Sequence, residues 1–506
     1  MVAAGKRAGC ALVSLLALAA IAVPASASAA LGNRAVAGKA AAVQSLAGGA
    51  KRITYRIGPF DVIPGQNRIG YSAIAERPQV DGYITRIKPN LTYLDGRVPG
   101  VDVIHLHHAV WINTSRRGLN VPFGAELFFA AGEEKTIGSV PKGYGYPLRA
   151  SDGLLLNHMI HNLTPVPTQV YMTYQIDFVP KGSAAARGIR PVRPIWMDVE
   201  SGSFYPVFNV RKGTGKNGRF TYPNDAKHPY RGLPAKNKWR VDKPGVLVAT
   251  AGHLHPGGLY TDMNLRRGRK TAHLFRSRAK YFEPAGAVSW DVSMTHTRRD
   301  WRVKLRKGDV LSIKATYDTS RGSWWESMGI MVAFMADGGP GKNPFKTKVD
   351  KPGVVTHGHL PENDNHGGGP SSLPDPRQLP DGQQNPGFVD LFNFRYQLGD
   401  LSLGDPVRNP PVIRAGQSLT FRDAGDNAKE IYHSITSCKP PCNRSTGIAY
   451  PIADGNVQFE SGTLGSARPP ATGALQWTTP SNLSPGTYTY FCRIHPFMRG
   501  AFRVRQ

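Results

Sequence analysis

Close to its C-terminus the chain carries a thiol, an imidazole and a thioether at short, regular spacing. Residues 490–500 read YFCRIHPFMRG, which places Cys492, His495 and Met498 in a C-x2-H-x2-M pattern. A soft thiolate with two imidazoles and a weak axial thioether is the ligand set of copper that cycles between oxidation states. The spacing predicts that Cys492 ends a strand and that the next loop folds His495 and Met498 over the same metal.

The second imidazole of this set must come from a neighbouring strand, and His433 in EIYHSIT is the candidate. Cys438 and Cys442 follow it in a short loop that we expect to close as a disulfide in an oxidising compartment. Cys10 precedes the mature chain predicted below, so Cys492 remains single. A single thiol in an exported protein is best explained as a metal ligand.

Residues 385–506, including RAGQSLTF at 414–421, resemble the cupredoxins, and the ligand loop is especially similar to that of amicyanins and pseudoazurins. The resemblance implies a Greek-key β-sandwich that carries one electron on a type 1 copper. Its ligands would be His433, Cys492, His495 and Met498. A long insertion after His433, which contains the two paired cysteines, departs from the family pattern.

The histidines upstream are clustered on apolar segments that we expect to be strands. One segment carries His105, His107 and His108, and another carries His158 and His161. A third holds the H-x-H pair of His253 and His255, which a strand would place on one face. A lone histidine is usually a packing or solvated residue, whereas three clusters favour metal binding.

In order and spacing, residues 52–337 resemble the copper type II, ascorbate-dependent monooxygenases, the family of peptidylglycine α-hydroxylating monooxygenase and dopamine β-hydroxylase. The resemblance implies two further coppers on two β-sandwich domains. It assigns one centre to His107, His108 and His161, and the other to His253, His255 and Met328. His105, His158 and Met331 remain alternative ligands.

This resemblance implies that dioxygen binds at the Met328 centre and that an unknown organic substrate is hydroxylated there. The other centre would store electrons supplied by a redox partner or a small-molecule reductant. A tethered blue-copper domain would deliver them at high effective concentration. Two alternatives stay open: a non-catalytic protein that binds copper and transfers electrons, and a structural β pair that merely carries the cupredoxin.

The elements that must position these residues are strands. The 506 residues include 56 glycines and 41 prolines, and turn signals separate short apolar runs without a long amphipathic helix. We therefore predict an all-β chain: two tandem β-sandwich, jelly-roll-like domains at 52–195 and 196–337, followed by the cupredoxin domain at 385–506. Residues 338–384, rich in Gly and Pro, are predicted to be a linker. Within it, His357, His359 and His366 either bind a further metal or are solvated.

The N-terminus predicts export. Lys6 and Arg7 precede an apolar run at 11–23 and a small-residue stretch, which is typical of a signal peptide at 1–29 followed by a flexible segment at 30–51. An uncleaved membrane anchor is the alternative. The formal net charge of +28 is spread without a dense basic helix, so we expect no nucleic-acid partner and an affinity for an anionic cell envelope.

Overall fold

The computed structural model describes most of the chain beyond residue 40. The described residues are 41–65, 69–121, 124–200, 207–226, 236–360, 372–426, 431–442, 452, 456–465 and 474–506. The predicted signal peptide and His366 lie outside them. Among the described residues, no helix is long and apolar enough to cross a membrane.

Strands dominate the described part of the chain, which also contains two short 3-10 helices at Ala47–Gly49 and Ala184–Ala186. Runs of β-branched and aromatic residues favour this extended backbone because their side chains pack well on a pleated surface. The prediction of an all-β fold is confirmed.

The first β unit is a sandwich of two sheets around one core. Its strands are β1 (Ala42–Ser45), β2 (Lys51–Val62), β3 (Gly70–Ala73), β4 (Gly82–Tyr93), β5 (Ile104–Arg117), β6 (Ala125–Gly132), β7 (Gly138–Ser139), β8 (Tyr144–Leu148), β9 (Leu154–Asn162) and β10 (Thr168–Pro180). One sheet runs β1–β2–β10–β4, with β7 and β8 both paired to β4. The other has the order β3–β9–β5–β6, so the histidine-bearing strands β5 and β9 lie side by side at its centre.

The second β unit is built in the same way. Its strands are β11 (Arg190–Asp198), β12 (Phe208–Val210), β13 (Arg219–Tyr222), β14 (Lys238–Arg240), β15 (Gly245–His253), β16 (Gly258–Arg267), β17 (Lys270–Tyr281), β18 (Val292–His296), β19 (Val303–Leu305), β20 (Val310–Asp318), β21 (Trp324–Ser327), β22 (Ile330–Ala336) and β23 (Val354–Val355). One sheet joins β11, β22 and β15, and the other joins β20, β16 and β17. Between them lies a core that includes Met263, Leu311 and Met331.

The C-terminal unit consists of two four-stranded sheets. Its strands are β24 (Phe388–Phe392), β25 (Arg395–Tyr396), β26 (Val412–Arg414), β27 (Thr420–Asp423), β28 (Thr436–Cys438), β29 (Gln476–Thr478), β30 (Gly486–Phe491) and β31 (Arg499–Arg505). The sheet orders are β25–β24–β27–β29 and β26–β31–β30–β28. Phe421, Tyr490 and Phe502 fill the space between the sheets, which form a β-sandwich.

Three predicted boundaries differ from the observed elements. Strand β11 crosses the boundary at 195/196 and pairs with β8 of the first unit as well as β22 of the second, so the two units share a strand. The segment 30–51, predicted to be flexible, contains β1, whose backbone pairs with β2. The predicted linker contributes β23, which pairs with β18. In the last two cases backbone pairing orders a segment whose composition alone suggests a loop.

Candidate metal centres

The C-terminal unit brings the predicted thiol and both imidazoles together. Strand β30 ends one residue before Cys492, and β31 begins one residue after Met498, so a tight loop spans the ligand residues. Donor atoms of His433, Cys492 and His495 all lie within 4.8 Å of one another, and these side chains are fully buried. The two Nδ1 atoms are 3.3 Å apart, and Cys492 Sγ is 3.7 Å from His495 Nδ1.

The loop geometry stabilises a thiolate. The backbone N–H groups of Ser434 and His495 each donate to Cys492 Sγ at 3.3 Å. Burial raises the pKa of Cys492, but the charge of His495 and the hydrogen bonds from both histidines outweigh this and hold the pKa well below its usual range. The thiolate is the form of cysteine that binds metals.

Met498 belongs to the same small loop. Its N–H donates to the carbonyl of His495 at 2.8 Å, and its own carbonyl accepts from the N–H of Cys492 at 3.1 Å. The side chain is almost completely buried. A thiolate, two imidazoles and a thioether in one buried loop region fit copper by their donor chemistry.

The other ring nitrogen of His433 is held by Asp426, a residue that the sequence did not single out. Nε2 lies 3.1 Å from Asp426 Oδ2, and both side chains are fully buried. Asp426 also accepts the backbone N–H groups of Asn393 and Phe394. The carboxylate therefore fixes the ring orientation and directs Nδ1 toward His495 Nδ1, as in a histidine that could bind a metal.

The outer nitrogen of His495 reaches the first β unit. Nε2 donates to the carbonyl of Gly65 at 3.0 Å, and the histidine is fully buried. Gly65 has φ +58, and a Cβ added there would lie 2.2 Å from the imidazole. Glycine is thus required both by the left-handed backbone and by the close approach of the ring.

A hydrogen bond continues from Gly65 to the histidines of the first unit. The N–H of Gly65 donates to the carbonyl of Asn162 at 2.9 Å, and Asn162 directly follows His161 on β9. The charge of His495 is close enough to contribute to the lowered pKa of His161, after burial and His105. The C-terminal loop and the upstream histidines are therefore neighbours.

In the upstream cluster, His105 and His161 converge across two paired strands. The β5–β9 register sets His105 opposite His161, and His105 Nε2 lies 3.3 Å from His161 Nδ1. This equals the separation of the two Nδ1 atoms in the C-terminal site. His105 Nδ1 donates to the carbonyl of Val101 at 3.1 Å, which directs the Nε2 lone pair toward His161. Of the two alternative histidines, His105 thus belongs to the cluster.

Histidines from the two β units also meet. His107 of the first unit stacks on His255 of the second with ring centroids 4.2 Å apart. Glu133 approaches both rings: its Oε1 lies 3.0 Å from His255 Nδ1 and 4.0 Å from His107 Nε2. Donor atoms of these three buried residues lie within 4.8 Å of one another.

The neighbouring residues His253 and Glu134 repeat the arrangement. His253 Nδ1 lies 3.0 Å from Glu134 Oε2, and the His253 and His255 rings are 4.8 Å apart. His108 Nε2 is 3.0 Å from Asn157 Oδ1. Glu133 and Glu134, which directly follow β6, are site residues that were not identified from the sequence. The sequence marks them only as an acidic pair after an apolar strand.

Chemically, this cluster fits a metal. Nδ1 of His253 and of His255 each lies 3.0 Å from a glutamate oxygen, and Nε2 of each ring is buried and has no hydrogen-bond partner among the described residues. Carboxylate–imidazole pairs of this kind orient histidines toward metals. Burial lowers the pKa of His105 and of His108 to about 3, and those of His107, His161 and His255 well below the usual value, so the rings are neutral as ligands must be.

The predicted arrangement places one metal centre on each of the two domains. The structure groups the histidines differently. Instead, His107 of the first unit lies against His255 of the second, because the two sandwiches share β11 and face each other at the histidine-bearing strands. His158 lies apart: its ring contacts Phe60 and its Nε2 lies 3.1 Å from Ser72 Oγ, which is a packing role.

The two methionines considered as ligands occupy different surroundings. Met328 lies between β21 and β22 in an apolar cluster with Val110 and Trp196, and its backbone contacts the Tyr317 hydroxyl. Met331 packs in the core of the second unit. Near Met328, Glu326 adopts φ +52 and places Oε2 3.9 Å from His107 Nε2. Such a strained backbone in a non-glycine residue is typical of functional sites.

The predicted disulfide is present, since Cys438 and Cys442 are bonded. Cys492 is the free cysteine of the described residues, and it is buried.

No protein-family model matches the chain, and no curated protein matches it. Among solved structures, the chain is similar to a Cu-containing nitrite reductase (NirK) from Thermus scotoductus SA-01, with 14% identity and a TM-score of 0.15 over 51% of this chain and 55% of that one. It is also similar to the STIV MCP, with 7% identity and a TM-score of 0.22 over 56% of this chain and 95% of that one. At these TM-scores neither similarity carries a functional argument, so function must be inferred from the site residues.

Proposed function

We propose that this protein transfers electrons between a type 1 copper in its C-terminal unit and a second copper-binding cluster between its first two β units. The observation that carries the proposal is the chain of contacts from His495 through Gly65 and Asn162 to His161. It links a ligand residue of one centre to a ligand residue of the other.

The C-terminal centre would be held by His433, Cys492, His495 and Met498. Copper in such a donor set alternates between Cu(I) and Cu(II). Burial of the ligands and the hydrogen bonds that the rings donate to Asp426 and Gly65 fix both imidazoles, so the site changes little in geometry between the two oxidation states. This rigidity suits rapid electron transfer.

The upstream cluster would use His105, His107, His161, His253 and His255, with Glu133 and Glu134 orienting the last two. Imidazole binds both oxidation states of copper. Beside His253 lies a largely apolar cavity of about 30 Å³, bounded by Phe129, Ile330 and Phe334 among others. A largely apolar space of this kind admits a small apolar molecule such as dioxygen.

Dioxygen is therefore the reactant that we assign to the upstream cluster. In the finer form of the proposal, one oxygen atom enters a C–H bond of an organic substrate and the other leaves as water. That reaction consumes two electrons and two protons besides the substrate, and the C-terminal centre would relay the electrons from a redox partner or a small-molecule reductant.

We further propose that the mature protein is exported. The signal-like N-terminus and the Cys438–Cys442 disulfide both favour an oxidising compartment. The strongly basic surface would then associate with anionic groups of the cell envelope.

The deciding experiment measures copper content, optical absorption and electron paramagnetic resonance on the full-length protein. We expect an intense thiolate-to-copper absorption that Cys492→Ser abolishes, together with further copper that His107→Ala and His255→Ala each release. A stopped-flow mixture of the reduced protein with dioxygen should then restore the blue colour faster in the wild type than in those two variants.

An uncoloured copper-loaded wild type would refute the C-terminal assignment. Reoxidation of the blue centre at equal rates in the wild type, His107→Ala and His255→Ala would refute the coupling to the upstream cluster. If the blue centre forms and exchanges electrons but the protein consumes no dioxygen, the non-catalytic alternative is correct. Product analysis with candidate substrates tests hydroxylation separately.

A further inference from the structure

A third group of ionisable side chains lies in the second β unit, outside both centres described above. Glu283 follows strand β17, Asp291 immediately precedes β18, and His359 follows β23. One donor atom from each of the three lies within 4.8 Å of the others. His359 Nδ1 is in close contact with Asp291 Oδ2.

Two of these groups are carboxylates removed from water. Glu283 and Asp291 have 3% and 0% of their surface exposed, respectively, whereas the His359 side chain is 30% exposed. Asp291 Oδ2 also accepts the N–H of Leu360 at 3.3 Å, while its Oδ1 is buried without a hydrogen-bond partner among the described residues. Leaving a buried carboxylate oxygen unpaired is costly unless a cation occupies the site.

Further negative charge surrounds the group. Burial raises the pKa of Asp102, and Glu283 and Asp291 raise it further, so all three acids interact. Burial also raises the pKa of Asp291, while His359 opposes this effect. The acids repel one another, and a divalent cation would neutralise them.

The donor set differs from that of the copper centres. It offers carboxylate oxygens and a single imidazole, with no sulfur among the three residues. Hard oxygen donors favour Mn²⁺, and an added imidazole also suits Zn²⁺, whereas Cu(I) prefers soft ligands. We propose that Glu283, Asp291 and His359 form a binding site for a divalent cation of the Mn²⁺ or Zn²⁺ type.

Such a cation would connect residues 354–360, which follow β22 in the chain, to the upstream histidine cluster. His359 belongs to the same short stretch as His357, whose Nε2 donates to the carbonyl of Glu134 at 2.6 Å. Trp290, next to Asp291, packs on the His105 ring with centroids 4.1 Å apart. Cation binding would therefore hold residues 354–360 against the residues that orient the upstream histidines.

The test uses full-length, copper-loaded protein titrated with Mn²⁺ and, separately, Zn²⁺ by isothermal calorimetry, with Mn²⁺ binding also followed by paramagnetic resonance. We expect one saturable site that Asp291→Asn and His359→Ala each weaken at least tenfold. Asp300→Asn, which removes an exposed carboxylate that pairs with Lys351 rather than with the three site residues, is the control and should bind as the wild type does. His359→Ala alters a partly exposed side chain, so it keeps the test valid if Asp291→Asn fails to fold.

A second readout is proteolysis within residues 354–360, which saturating Mn²⁺ or Zn²⁺ should slow in the wild type and not in His359→Ala. Equal affinity in wild type and His359→Ala would overturn the proposal, as would copper occupying this site in preference to both cations. The blue absorption should be unchanged in all three variants, so failure here is distinguishable from failure of the copper assignment.

Discussion

His495 Nε2 donates a hydrogen bond to the carbonyl of Gly65, and the two residues are 430 positions apart in the chain. The contact buries the outer edge of a predicted copper ligand against the first β unit. An electron leaving through this ring would enter the protein's own backbone rather than a docked partner. An external donor must therefore reach the C-terminal centre by another face.

Gly65→Ala tests this contact. The new Cβ would lie 2.2 Å from the His495 ring, so the ring or the loop must shift. We expect the blue absorption to persist with a changed band position, and electron transfer to the upstream cluster to slow by about an order of magnitude. Flash photolysis of the copper-loaded protein measures this rate.

The matched control is Gly96→Ala, which also has a positive φ, +89, but has no neighbouring atom within 4 Å of the added Cβ. Both variants carry a backbone penalty of about 1–2 kcal/mol in the free energy of unfolding, because alanine disfavours a positive φ. A rate in Gly65→Ala equal to that of the control would show that the contact does not couple the centres.

Asp426→Asn tests the support of His433. Burial lowers the pKa of His433, but Asp426 and Cys492 together raise it to about 9, so loss of the Asp426 carboxylate makes the ring a weaker donor. A weaker donor stabilises Cu(II) less, so we expect a higher reduction potential and a roughly 10- to 100-fold loss of Cu(II) affinity. Redox titration of the blue band gives the potential. The control is Asp390→Asn, because the Asp390 carboxylate pairs with Arg422 and not with a histidine. This variant should leave the reduction potential unchanged.

Glu133→Gln tests the support of His255. The amide keeps the size of the side chain but removes the carboxylate that lies 3.0 Å from His255 Nδ1. We expect roughly 10- to 100-fold weaker copper binding upstream and an unchanged blue centre. Glu126→Gln is the control, because this buried carboxyl on β6, the strand that precedes Glu133, contacts Tyr146 rather than a histidine. Equal copper loss in both variants would point to a general packing defect.

His105→Ala and His158→Ala distinguish a ligand from a packing residue. His105 converges with His161, so its removal should release upstream copper. His158 contacts Phe60 and Ser72, so its removal should lower the free energy of unfolding by about 1–3 kcal/mol without changing the copper content. Metal analysis and chemical denaturation check the pair. Copper loss from His158→Ala alone would reverse the two assignments.

Several features follow from local patterns that the sequence displays directly. Alternation of apolar residues and frequent turn signals predict strands, because side chains alternate between the faces of a sheet. The C-x2-H-x2-M spacing predicts one loop around Cys492, because four to seven residues after a strand cannot travel far from its end. The disulfide between Cys438 and Cys442 is predictable for the same reason.

Other features depend on how the sheets pack. Residues far apart in the chain meet when His495 reaches Gly65 and when His107 stacks on His255. Packing between the β units decides these contacts, and no local spacing encodes them. Assigning each histidine cluster to its own domain therefore misses that the two clusters face each other.

By itself, the sequence determined the all-β class and the donor atoms available within one loop, because both arise from short-range backbone geometry and side-chain chemistry. Only the tertiary structure decided which carboxylates orient the histidines, which unit covers His495, and that Glu283, Asp291 and His359 form a group. Each of these depends on buried polar groups finding partners, and those partners are chosen by packing across the whole chain rather than by neighbouring residues.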